Sequence, residues 1–297
     1  MTIKHLIFSG GGPCGLILYS AAENLLNKKI WNLKDIKSIY ATSAGGIVAT
    51  LFALDFEGDI IYKYFLHRPW EKVFKLESYE IFNILNSKGF YGENILKEIL
   101  KPILMAKNID IEVTLEEFFK ITNIDMHFIS CNVNTEKIST INISHSNFPS
   151  LKLITALNMT CALPPLIQPV FFEGGCYIDG GFVNNFPYLP CLEDQNCEED
   201  EILGFKTTLG LDKKMNNLVN NDSSIIDFFS TILLKLSREI DNLYDSKNPK
   251  YTVLCSSDEF NDINKWWESI ASEKKRLELM HQGKINSEIF LEYYKNF

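Results

Sequence analysis

Ile3-Lys4-His5-Leu6-Ile7-Phe8-Ser9-Gly10-Gly11-Gly12-Pro13-Cys14-Gly15 opens on a short apolar run, breaks into three consecutive glycines, and leads into a second apolar stretch, Leu16 to Lys28. The first run reads as a buried strand and the second, with its polar end, as a helix. The same order returns at once: Ile36 to Tyr40 as a strand, Ala41-Thr42-Ser43-Ala44-Gly45-Gly46 as a turn, and Ile47 to Leu54 as an apolar helix. Two strand-turn-helix units in succession predict parallel strands joined by right-handed crossovers. The expected class is α/β, a largely parallel central sheet sandwiched by helices.

Outward from that start, Gly58 to about Lys120 is mostly helical in pattern, with Thr114-Leu115-Glu116-Glu117 fitting a capping box, and is expected as a helical insertion over the sheet. Ile124 to Val133 and Lys137 to Ile143 read as strands around a turn at Asn134-Thr135-Glu136, and Leu151 to Thr160 as a helix. Leu163 to Pro190 is rich in Pro and Gly and reads as one long loop, a length that usually signals function. Beyond it come a strand at Ile202 to Thr207, a helix at Ser224 to Tyr244, a strand at Tyr251 to Cys255 and a polar helical tail at Asn264 to Phe297. The economical division is a main domain over residues 1–210 and a mainly helical C-terminal extension, 211–297, packed on it. A boundary near Asp222 is one option; the strand at Tyr251 joining the first sheet is the other.

Composition narrows the function. Twenty-nine Lys and Arg against 38 Asp and Glu leave a charge of -9, which disfavours nucleic acid as a partner. Seven scattered cysteines contain no Cys-x-x-Cys pair, so they read as reduced thiols in a cytoplasmic compartment and not as a zinc site. The apolar run Ile47 to Leu54 is far short of the ~20 residues of a spanning helix, so membrane contact is expected to be peripheral. The acidic run at Glu193, Asp194, Glu198, Glu199, Asp200 and Glu201 lacks a calcium-loop order, and no metal is assigned.

Gly10, Gly11 and Gly12 place unhindered N–H groups just before a helix, an arrangement that binds anions. Gly10-x-Gly12-x-x-Gly15 also satisfies a dinucleotide fingerprint, but the acid that reading needs at the end of the second strand is missing: Ala41-Thr42-Ser43 stands there, and Asp35 sits at the strand's other end. Ala41-x-Ser43-x-Gly45 is a variant of the nucleophile elbow, in which small neighbours let a strained serine stand above the sheet edge; a plain helix cap at Thr42 or Ser43 is the alternative. Adjacent parallel strands would bring the glycine amides and Ser43 to one carboxyl edge, which is how an oxyanion hole is built. A base is offered by Asp179, in Asp179-Gly180-Gly181, where the glycines permit close backbone approach; a simple Asp-Gly turn is the alternative. Among the five histidines only His281 follows Asp179, as a Ser, acid, His order demands, and it falls in an apparently exposed tail; His5, His67, His127 and His145 have no motif around them.

These residues together resemble the patatin-like phospholipases, over roughly Ile3 to Phe205. The match consists of Gly10 to Gly15, Ala41 to Gly45 and Asp179 to Gly181 in order, and Cys161-Ala162-Leu163-Pro164, Gln168-Pro169-Val170 and Phe182-Val183-Asn184-Asn185-Phe186-Pro187 look like the bacterial-type branch. The resemblance implies a Ser/Asp-dyad hydrolase of phospholipid or related fatty acyl esters with neither histidine nor cofactor: Ser43 as nucleophile, Asp179 as proton acceptor, and the Gly10, Gly11 and Gly12 amides as the oxyanion hole. By elbow geometry the Ala44 N–H could join them. Two positions depart from the family's pattern. Cys14 stands where an Arg or Lys is usual, which keeps a catalytically weak lipid-binding protein in view, and Ala41 replaces the first elbow glycine.

Aromatic residues crowd between Ile60 and Tyr91: Tyr62, Tyr64, Phe65, Trp70, Phe74, Tyr79, Phe82, Phe90 and Tyr91. They suit an acyl-chain channel or an interfacial surface, or else the core of the insertion itself. Trp266-Trp267 and Tyr293-Tyr294 in the tail either dock a partner or a membrane or, the safer account, pack on the main domain.

Overall fold

The computed structural model describes residues 2–75, 84, 86–208, 219–244, 248–257 and 263–294. Four parallel strands carry the centre of the sheet: β1 (His5–Phe8), β2 (Ser38–Thr42), β3 (Asp125–Asn132) and β7 (Ile202–Thr208), with β1 between β2 and β7. Every residue of β1 and β2 is buried, as expected of strands covered on both faces. Alternation divides their side chains: Leu6, Phe8, Ile39 and Ala41 enter the main core, while Ile7 and Tyr40 join Tyr188, Cys191 and Ile202 in a smaller one.

Helices α1 (Gly15–Asn27), α2 (Ala44–Ala53) and α7 (Leu153–Cys161) cover the first face, and α8 (Tyr188–Gln195) covers the second. The insertion supplies α3 (Gly58–His67), α4 (Trp70–Val73), α5 (Glu93–Ala106) and α6 (Leu115–Thr122). Thr114 and Glu117 close the expected capping box at the head of α6. Tyr79 and Phe82 of the aromatic cluster lie outside the described residues.

The passage from Leu163 to Pro190, expected as one long loop, instead holds an antiparallel hairpin, β5 (Val170–Phe172) and β6 (Gly175–Asp179). Its turn residues Glu173 and Gly174 both adopt positive φ, 46° and 79°, the requirement of a tight two-residue hairpin turn. β4 (Ser139–Ile143) pairs antiparallel with β3 along Phe128 to Asn132.

One register decides where chemistry can happen. β2 pairs with β3 up to Thr42 opposite Ile129, and β6 pairs with it from Asp179 opposite Ser130 onward. Because β4 runs along the other edge over both stretches, β2 and β6 share one edge of β3 and meet end to end. The carboxyl ends of the two strands, Thr42 and Asp179, are thereby neighbours.

The described residues beyond 210 are woven into this body: one of their strands joins the sheet. α9 (Ile225–Tyr244) leads toward β8 (Tyr251–Ser256), which pairs parallel with β7, while α10 (Ile263–Ala271) and α11 (Glu273–Tyr293) replace the single tail helix. Ser272 breaks that tail by capping α11, its side chain accepting the Lys275 N–H. α11 lies along α1, and their closest approach is at Gly283, where a Cβ would fall 2.4 Å from the Ile17 carbonyl oxygen and 2.9 Å from Ser20 Cβ. Gly283→Val should therefore push α11 off α1 and lower stability by about 1–3 kcal/mol in urea denaturation. An unchanged midpoint would show that the two helices do not need that approach.

Candidate active site

Ser43 sits on the sharp link between β2 and α2 at φ 55°, ψ -131°, a conformation costly for any residue with a Cβ. Small neighbours make the turn possible. A Cβ on Gly45 would lie 2.5 Å from the Ser9 carbonyl oxygen, so the elbow packs directly against the end of β1. Ala41 is fully buried within β2. The backbone is pinned from the side by Thr160 on α7, whose Oγ1 accepts the Ser43 N–H at 2.8 Å and donates to the Ile129 carbonyl. Thr42 Oγ1 donates to the Asn184 carbonyl at 3.0 Å.

Strand register delivers Asp179 to this serine. Ser43 Oγ donates to Asp179 Oδ2 at 2.5 Å, and Asp179 Oδ1 accepts the Gly181 N–H at 2.7 Å. Gly180 allows the turn to press onto β3, where a Cβ would stand 2.3 Å from the Ile129 carbonyl oxygen. Asp179 is 4% exposed, and no cation lies in salt-bridge contact with it among the described residues. Burial pushes its carboxyl up from 3.8 to about 6, against the opposing pull of the bonds from Ser43 and Gly181.

The glycine loop arrives at the same edge, as expected, but its amides are not equivalent. The Gly10 N–H is engaged by Asn185, with Oδ1 at 3.1 Å and the main-chain oxygen at 3.3 Å, while the Gly10 carbonyl accepts Thr207 Oγ1 at 2.6 Å. A Cβ on Gly10 would also lie 2.9 Å from Ser43 Cβ, so this glycine is a spacer between the two loops. No acceptor pairs with the Gly11 or Gly12 N–H among the described residues. Gly11 lies at φ 156° and Gly12 at φ 53°. Ala44 is the first residue of α2, so its N–H points out of the helix at the positive end of the dipole. Gly15 opens α1, a Cβ there lying 3.4 Å from Ala44 Cβ, which joins the two helix starts.

Cys14 is wholly buried, beside Cys255, so position 14 carries no charge toward the serine. The histidines lie elsewhere. His5 bonds Ser38, His127 stacks on Tyr40, His145 pairs with Asp125, His67 pairs with Glu273, and none of the five lines the cavity above Ser43. The acidic run is dispersed: Glu201 pairs with Lys4, Asp194 accepts from Tyr40 and Asn142, Glu199 from Tyr188, and Asp200 pairs with Lys250.

Thr160 lies outside the motifs, and Asn185 lies within the Phe182–Pro187 stretch that carries the family resemblance but has no role assigned from sequence; Thr160 bonds the Ser43 N–H and Asn185 the adjoining glycine loop.

Above the serine opens a cavity of about 210 Å³. Phe65, Trp70, Phe74 and Tyr91 of the aromatic cluster line it, as do Ile95 and Ile99 of α5. Apolar walls thus surround a buried serine and carboxyl, a lining suited to an apolar ligand with few polar atoms.

Known proteins resemble this chain in sequence or in fold. The uncharacterized protein R571 of Acanthamoeba polyphaga mimivirus is 25% identical over 276 residues, 85% of this chain and 91% of that protein. The probable lipid hydrolase 463L of Invertebrate iridescent virus 6 is 25% identical over 185 residues, 62% of this chain and 61% of the viral protein. Among solved structures, VipD from Legionella pneumophila shares the fold, with a TM-score of 0.55 at 14% identity over 99% of this chain and 67% of its own. The family model described as patatin-like phospholipase matches residues 6–192, a span running from β1 into α8 that holds the glycine loop, the elbow and the Asp179 turn; the chain belongs to the patatin-like phospholipase family.

Proposed function

We propose that the protein is a serine hydrolase of fatty acyl esters of phospholipids or related lipids, working through Ser43 and Asp179. The observation that carries this reading is the 2.5 Å bond between Ser43 Oγ and a buried carboxylate at the floor of an apolar cavity. A carboxyl that titrates at about 6 is deprotonated at neutral pH yet basic enough to take a proton, which an exposed aspartate is not.

Ser43 Oγ attacks the ester carbonyl as its proton passes to Asp179 Oδ2. The resulting oxyanion lies within the set of N–H groups of Gly11, Gly12 and Ala44, while the Gly10 N–H, held by Asn185, fixes the loop that presents them. Each such donor is typically worth about 10² to 10³ in rate, so a site with an uncharged residue at position 14 retains strong transition-state stabilisation. Asp179 then protonates the departing alcohol, deprotonates the water that attacks the acyl-serine, and returns that proton to Ser43 Oγ as the fatty acid leaves.

Lipid contact has a structural candidate. α9 carries Ile225, Phe228, Phe229, Ile232 and Leu236 exposed at helical spacing, and it packs on the turn Gly180–Phe182 that follows Asp179. An apolar stripe beside the catalytic turn supports docking on a lipid surface with the cavity facing it. No helix among the described residues is long and apolar enough to cross a membrane. All seven cysteines are free thiols, which supports a reducing, cytoplasmic setting. We assign the chain to a bacterial-type branch on Cys161–Pro164, Gln168–Val170 and the Phe182–Pro187 stretch after Asp179-Gly180-Gly181.

A fluorophosphonate should label the wild type at Ser43, and both Ser43→Ala and Asp179→Asn should lose fatty-acid release by at least 10³-fold while remaining folded by circular dichroism. Full activity in Asp179→Asn would overturn the dyad; lipid uptake without turnover or labelling would favour the lipid-binding alternative. In the wild type kcat/KM should climb about tenfold per pH step below about 6 and level off above it.

Stability should move the other way. Between 3.8 and about 6 the folded carboxyl holds a proton that the unfolded chain has released, so stability falls as pH rises through that window and stays lower above it. Asp179→Asn escapes this loss and should be more stable than wild type at pH 8 by on the order of 1–3 kcal/mol in urea denaturation. Replacing Phe228 and Phe229 by Ser should weaken vesicle binding and vesicle hydrolysis about tenfold while leaving a soluble short-chain ester unaffected; equal loss on both substrates would rule out the docking role.

A further inference from the structure

The cavity above Ser43 is only partly built by the family-matched residues 6–192. Its remaining wall comes from α10, with Trp266, Trp267 and Ile270, and from Arg276 at the start of α11. Trp266 meets the glycine loop itself: a Cβ on Gly12 would stand 2.8–2.9 Å from three atoms of its six-membered ring, so the indole lies in contact with the backbone that presents the oxyanion amides. Trp267 continues the wall between Phe74 and Tyr91, with ring centroids 6.1 and 5.8 Å away.

Arg276 holds this wall in place. The side chain is 5% exposed, and it donates to the Ile270 carbonyl at 2.5 Å and the Leu66 carbonyl at 2.7 Å, tying the end of α10 to the end of α3. A cation at the carbonyl ends of two helices satisfies both dipoles and locks their separation.

We propose that the C-terminal segment determines which acyl chain is accepted: Trp267 and Ile270 form the wall along which a single extended chain lies, and Trp266 leaves no room for bulk beside the carbonyl. The inference rests on the proposed role of Ser43 for naming the occupant an acyl chain. A chain of four carbons ends near the serine, whereas a chain of sixteen must run along α10, so changes in the wall separate the two by length. Contacts that a long chain makes and a short one does not appear as a ratio of kcat/KM values.

The test uses the full chain with p-nitrophenyl butyrate and p-nitrophenyl palmitate. Ile270→Trp, which narrows the channel, and Trp267→Ala, which strips its aromatic wall, should each lower the palmitate-to-butyrate ratio of kcat/KM at least tenfold. An unchanged ratio, or equal loss on both esters in variants that remain folded, overturns the proposal. In a Ser43→Ala background, cis-parinaric acid should bind with energy transfer from tryptophan and be displaced by palmitic but not butyric acid. Ile270→Trp should abolish that binding, and persistence of binding overturns the proposal. If the wild type hydrolyses neither ester and Ser43 resists the fluorophosphonate, but probe binding still depends on position 270, the catalytic reading fails while the chain-binding wall stands.

Discussion

The short bond between Ser43 and Asp179 is the constraint around which the rest of the molecule is arranged. It requires two residues 136 positions apart to meet within a carboxyl and a hydroxyl's reach, and neither side chain could search for the other once buried. The sheet solves this by geometry. β2 and β6 abut on one edge of β3, one arriving parallel and the other antiparallel, so their ends converge at Ile129 and Ser130. A slip of one residue in either pairing would turn the side chains to the opposite face and dissolve the site.

The same spot concentrates costs that a structural turn would avoid: a serine at positive φ and, among the described residues, a carboxyl without a cation and main-chain donors without acceptors. Each is offset nearby. Thr160 holds the Ser43 amide, Gly181 holds Asp179, Asn185 ties the glycine loop to the aspartate turn, and the core beneath keeps all three loops from relaxing.

Much of this was legible in the sequence because local rules and global fold agree there. The glycine triplet, the Ala41–Gly45 elbow and the Asp179–Gly181 turn are backbone requirements, and backbone requirements are written in small residues. Less legible were features settled by tertiary contact. The hairpin at Val170 to Asp179 was hidden because Glu173-Gly174 is a weaker turn signal than the surrounding prolines and glycines, and Val170-Phe171-Phe172 is half exposed. Asn185 stood within the family-like Phe182–Pro187 stretch without a role, which only its bond to the Gly10 N–H supplies. Trp266 and Trp267 could be read as surface anchors or packing residues; only the fold sets them against the glycine loop and the insertion's aromatics.

That last contact has a consequence for synthesis. Trp266 is synthesised long after Gly12, and at about 5–20 residues per second the glycine loop waits many seconds for its cover. β8 cannot pair with β7, nor α11 with α1, until those later segments have been made. A chain synthesised only through β7 therefore exposes an apolar cleft without α10, a species prone to self-association. Expression yield and chaperone dependence should accordingly track the docking of α10 and α11, far from the serine in sequence.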